Sequence, residues 1–109
     1  MAQFDVHRNQ GQMRTSIPFV VVVQSSLFDR YRRRVVAPLV LRQEIRGQEA
    51  GAGSRANPVF HIEGVELVLN PLEIVSVSLD QLGPHVGSLA DQGQAVSDAL
   101  DELLTRSWG

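Results

Sequence analysis

The sequence predicts an α+β fold that is mostly β, a twisted antiparallel sheet backed by one C-terminal α-helix. Three observations predict it. Runs of β-branched and apolar residues fill most of the chain; a two-residue Glu63-Gly64 connection joins two alternating segments; and after Pro84 the hydrophobic period changes from two to the spacing of a helix. With 109 residues, the chain suits a single domain spanning 1–109. A domain of this size buries only about two-thirds of its unfolded surface, so burial between subunits would add stability. The 43% hydrophobic content excludes a disordered polymer.

Residues 3–7 read as a short strand, and the polar, glycine-containing residues 8–16 as a turn. Residues 17–24 give the strongest strand, because Val20-Val21-Val22-Val23 is stiff at χ1 and suits a pleated surface. The run does not alternate with polar residues, so both of its faces should be covered, by the protein's own helix or by another subunit. Residues 25–33 form a polar, basic connection that carries the apolar pair Leu27 and Phe28. Strand resumes over 34–41, where Pro38 cannot donate to a ladder and calls for an edge position or a bulge. Residues 46–57 hold three glycines and no apolar anchor larger than alanine, which suits a surface loop.

Residues 58–62 and 65–69 alternate on either side of Glu63-Gly64, as a hairpin requires. Residues 73–79 place Val75, Val77 and Leu79 on one strand face and Ser76 and Ser78 on the other. Leu82-Gly83-Pro84 reads as the end of the sheet. Ala95, Val96, Ala99, Leu100, Leu103 and Leu104 then form the stripe of an amphipathic helix over 91–105. Ser88-x-x-Asp91 resembles a capping box, with Asp91 as an alternative cap. The expected architecture is five or six antiparallel strands and one helix.

The absence of cysteine removes disulfides, thiolate nucleophiles and zinc–thiolate sites. His7, His61 and His85 fall on separate elements without metal-ligand spacing. His61 and Glu63 share a strand face by spacing; they could relay a proton or hold a metal, although an exposed hydrogen-bonded pair is the commoner outcome. No G-x-S-x-G, P-loop or dinucleotide fingerprint is present, so neither enzyme, metal nor cofactor is expected. Arg30-x-Arg32-Arg33-Arg34, with Tyr31 inside it, suits either a phosphate or acidic partner or a solvated turn. All ten basic residues are arginine, and the net charge of −2 argues against a broad nucleic-acid footprint. The single tryptophan, Trp108, either folds back on its own helix or serves as an interface hot spot. The N-terminus shows no secretory signal, and the longest apolar run, 19–23, is far short of the roughly 20 residues that span a bilayer. A cytoplasmic protein without membrane contact is expected.

Met1-Ala2-Gln3-Phe4, Val23-Gln24-Ser25, Arg33-Arg34-Val35-Val36-Ala37-Pro38-Leu39, Pro58-Val59-Phe60-His61-Ile62, Val75-Ser76-Val77, Ala99-Leu100-Asp101-x-Leu103 and Trp108-Gly109 occur in this order along the chain. In order and near-spacing this sequence resembles the CcdB toxins over almost its whole length. The resemblance implies an SH3-like barrel-type CcdB fold, with a smaller sheet flanking the main one, and a homodimer, which would account for the uninterrupted valines. It implies a protein that is not an enzyme. Such a protein binds the A subunit of DNA gyrase, traps the complex with cleaved DNA, and is neutralised by a CcdA-like antitoxin. Carried over by motif, the gyrase-binding residues are Trp108, Gly109, Asp101, Leu27 and Phe28, and the dimer interface contains Val20, Val22, Leu103 and Leu104. This chain stops at Gly109, whereas the best-known members end in Trp-Gly-Ile, and it is longer after Ala99. The alternative is a non-toxic interaction module of the same fold that binds an antitoxin peptide or another target.

Overall fold

The computed structural model describes residues 2–45 and 52–105. Seven strands form one antiparallel sheet: β1 (Asp5–Asn9), β2 (Phe19–Val22), β3 (Arg33–Leu41), β4 (Val59–Ile62), β5 (Val65–Leu69), β6 (Val75–Ser78) and β7 (Leu82–Ser88). Their spatial order is β4-β5-β3-β2-β1-β7, with β6 beside the first half of β3. One helix, α1 (Gly93–Leu104), follows. The α+β expectation holds, with one strand more than the sequence suggested.

β3 is the spine. Along one side it pairs with β2, from Phe19↔Leu39 to Val22↔Val36. Along the other it changes partner, pairing with β6 up to Val36↔Val75 and with β5 from Leu39↔Leu69. Pro38 sits at that changeover, in the middle of the sheet, and not at the edge or bulge expected for it. The N–H and C=O of a strand residue point to the same side. The Pro38 oxygen accepts from the Asn70 amide at 3.1 Å, where the chain turns between β5 and β6. The missing N–H therefore faces the gap between two partners, and no ladder bond is lost.

The seventh strand is β7, which contains the Gly83-Pro84 pair that reads as a sheet terminator. It pairs with β1 from Asp5↔Ser88 to Asn9↔Leu82 with shifts of register, and among the described residues it has no partner strand on its far side. An irregular edge tolerates proline. Gly83 is needed because a Cβ there would lie 2.5 Å from the Arg8 carbonyl oxygen.

The β4–β5 hairpin closes as its spacing predicts, with Ile62 opposite Val65. Glu63 (φ 54°) and Gly64 (φ 77°) both adopt the left-handed conformation that tight two-residue hairpins use. Arg8 on β1 reaches Glu63 at the hairpin tip, at 2.8 Å, although β2 and β3 lie between them in the sheet. The sheet is thus curled into a half-barrel. Its smaller flank, β4 and β5, is continuous with the main sheet through β3.

Inside the curl lies the core: Val6, Phe19, Val21, Val23, Ala37, Leu39, Phe60, Leu67, Leu69 and, from the C-terminal segment, Leu89, Val96 and Ala99. The helix enters through a 3₁₀ turn, Ala90–Gln92, which takes up the expected start at Asp91. Ser88 Oγ accepts from the Ala90 amide at 3.0 Å, so the capping bond forms one turn early, and Gln92 before α1 makes no side-chain cap. Gly93 seats the Phe4 ring; a Cβ there would lie 2.5 Å from Phe4 Cε2.

Strand alternation puts Val21 in this core and Val20 and Val22 on the opposite face. Val22 and its partner Val36 are each only 1% exposed. At Val22, both-sided burial is therefore achieved within one chain. Among the described residues, no helix is long and apolar enough to cross a membrane.

Candidate partner-binding surface

The connection between β2 and β3 is an ordered platform. Ser25 Oγ accepts from the Leu27 amide at 3.1 Å and caps the 3₁₀ turn Ser26–Phe28. The Asp29 amide then donates to Ser26 O, and the Tyr31 amide to Phe28 O, both at 3.0 Å. On this platform Leu27 is 77% exposed, Phe28 49% and Tyr31 56%. The Phe28 and Tyr31 rings lie 6.4 Å apart, tilted by 40°.

Arg34 holds the platform from beneath. Its residue is only 4% exposed. Nη1 donates to the carbonyls of Tyr31 (2.6 Å) and Arg33 (2.9 Å), and Nη2 donates to the carbonyl of Asp29 (3.0 Å). The Asp29 carboxylate lies 3.8 Å away. A planar fork of donors suits such a fan of carbonyls, where a lysine would present a point charge.

The arginine cluster thus divides its work. Arg34 points in. Arg33 lies along β6, with Nε on Ser76 Oγ (2.8 Å) and Nη2 on Ser76 O (2.7 Å). Arg32 meets Asp80 at 3.5 Å with both side chains in water, and the Arg30 guanidinium sits 5.7 Å from the Tyr31 ring centre. Beside Arg32 and Arg33 runs an open groove of about 480 Å³, lined also by Gln24, Phe28, Tyr31 and Val35.

The other expected residues lie on α1. Asp101 is exposed, and its carbonyl accepts from the Thr105 amide (2.9 Å) and hydroxyl (3.0 Å) at the helix end. Leu103 is half-buried and Leu104 exposed. Asp101 thus stands on α1, and Leu27 and Phe28 on the turn between β2 and β3. Trp108 and Gly109 lie outside the described residues. Of the two valines expected at a dimer interface, Val20 is half-buried and keeps surface to offer. Val22 is 1% exposed within one chain.

The histidines are rearranged by the fold. His7 and His85 oppose each other across β1 and β7, with ring centres 5.4 Å apart. The buried His7 ring is anchored by Nδ1 on Gly83 O at 2.9 Å, and His85 Nε2 lies 3.6 Å from Asp5. The sequence hid this pairing because it hid β7. His61 and Glu63 do not form the pair their spacing allowed: Glu63 sits in the turn, bonded to Arg8, and His61 faces Glu66 across the hairpin. No group of three metal-ligating side chains occurs among the described residues.

A family profile described as CcdB protein matches residues 3–106. The chain belongs to the CcdB family. A comparison with curated proteins returns no sequence match. Among solved structures, this CcdB-family chain is similar to an endoribonuclease in complex with its cognate antitoxin from a mycobacterial species. The TM-score is 0.74 at 15% identity, over 100% of this chain and 99% of that one. At that identity the likeness is one of fold.

Proposed function

We propose that this CcdB-family protein is the toxin of a type II toxin–antitoxin pair. It binds the A subunit of DNA gyrase, traps the enzyme on cleaved DNA, and is neutralised by a CcdA-like antitoxin. The observation that carries the reading is the family match over residues 3–106. The ordered, exposed Leu27–Phe28 turn supports it by offering apolar contact area on a fixed scaffold. The antitoxin partnership is further supported by the mycobacterial endoribonuclease, a protein of like fold that is held by its cognate antitoxin.

Trapping asks for contact area and no reacting group. A protein that binds the cleaved state more tightly than the resealed one shifts the equilibrium by that difference in affinity. In this reading the protein acts in the cytoplasm, as a homodimer and not as an enzyme, with Val20, Leu103 and Leu104 at the subunit contact. The gyrase-binding residues in this reading are Trp108, Gly109, Asp101, Leu27 and Phe28, offered by both copies of a two-fold dimer to the paired gyrase subunits.

The test is to add the protein to gyrase with supercoiled DNA and ATP, then detergent and protease. Linear DNA is expected with the intact protein and not with Trp108→Ala. Harmless behaviour towards gyrase with retained binding of an antitoxin peptide would instead establish the non-toxic interaction module. Cleavage of RNA by the intact protein would overturn the non-enzymatic reading.

A further inference from the structure

We infer that the groove beside the 25–31 loop is the docking site for an acidic peptide segment with apolar anchors, contributed by a partner protein. On the toxin reading above, on which the partner's role rests, that segment belongs to the antitoxin, and it masks Leu27 and Phe28.

The floor of the groove is apolar, made by Phe28, Tyr31 and Val35, and it stays open while the core beneath α1 is closed. Its walls are held before any partner arrives. Gln24 Oε1 accepts from the Val35 amide at 2.9 Å and Gln24 Nε2 donates to Arg33 O at 3.2 Å, while Arg34 fixes the loop carbonyls from the buried side. A site already in its bound shape avoids the ordering cost of binding.

The rim selects the sign of the ligand. Arg32 and Arg33 line the groove beside its apolar floor and the Arg30 guanidinium stands over the Tyr31 ring, so three guanidinium groups gather here in a protein whose net charge is −2. Arg32 and Asp80 are both more than 70% exposed and 3.5 Å apart. Such a pair contributes little, and an incoming carboxylate can take the place of Asp80. A nucleic acid fits less well, since it asks for a longer basic track than three arginines around an aromatic floor. A second copy docked symmetrically here would set the arginine rim against itself.

The experiment uses a fluorescein-labelled 12-residue peptide alternating Glu and Asp with Leu and Phe, titrated into the full-length protein by anisotropy. A charge-reversed peptide with Lys and Arg and the same apolar residues is the comparison. The acidic peptide is expected to bind and to weaken at high salt. It should lose at least about tenfold in affinity in an Arg30→Glu, Arg32→Glu double variant. Tyr31→Ser should weaken it too, and Asp80→Asn should strengthen it. Circular dichroism checks that these exposed substitutions leave the fold intact.

Equal or tighter binding of the basic peptide, or of a labelled single-stranded oligonucleotide, overturns the proposal. So does acidic-peptide affinity unchanged by the double arginine variant. The gyrase assay separates the two readings. Peptide binding without gyrase cleavage leaves the docking site standing and removes the gyrase target. Gyrase cleavage without acidic-peptide binding removes the docking site alone.

Discussion

Beneath α1, Phe60, Leu39, Leu67 and Leu69 are withdrawn from water almost completely; beyond the end of β2, Leu27, Phe28 and Tyr31 stand in it. Both regions are ordered, but by opposite means. The core is held by apolar area that each side chain removes from water. The loop is held by polar bonds made under it, from Ser25 and Arg34 to backbone groups. The difference separates residues kept for stability from residues kept for contact: an apolar side chain that a buried arginine helps to hold outward contributes little to folding.

Substitutions break this comparison in graded ways. Phe60→Ala empties a closed site and should cost about 3–5 kcal/mol, seen as a lower denaturant midpoint with the slope unchanged. Arg34→Met keeps much of the volume but leaves the Asp29 and Tyr31 carbonyls without this donor, while Arg33 O keeps Gln24 Nε2, at about 2–4 kcal/mol. Its sharper signature is local: hydrogen exchange over residues 25–31 should rise more than over β5. Gly93→Ala drives a methyl group into the Phe4 ring and should cost about 1–3 kcal/mol, with Phe4→Leu restoring part of the loss in a double-mutant cycle. Phe28→Ser should change stability by less than about 0.5 kcal/mol while reducing gyrase-dependent DNA cleavage. A large loss of stability from Phe28→Ser would place that ring with the core and collapse the distinction.

What the sequence makes legible follows from how local each signal is. The Glu63-Gly64 hairpin is written in two residues and the alternation around them, and its turn and two strands were readable, whereas the place of Phe60 opposite Leu67 was not. The valine strand and the stripe of α1 were readable for the same reason, and Leu27 and Phe28 stood out as apolar residues in a polar connection. Pro38 and Pro84 misled because a proline's meaning depends on which neighbour lies beside it. One faces a gap between β5 and β6, and the other lies in an edge strand. Arg34 could not be told from Arg32 and Arg33, since only the folded loop decides which arginine of a cluster is buried. The His7–His85 pair required β7, and β7 required tolerance of Gly83-Pro84.

Those same two residues have a consequence for the protein at high concentration. Among the described residues the far side of β7 is an open sheet edge, the kind of template on which chains stack into aggregates. Pro84 brings no N–H to β7, and the shifted register along β1 breaks the strand's regular spacing. The outer margin of the half-barrel is therefore a poor template for another strand, and copies accumulating while they wait for a partner are protected from zipping together along β7.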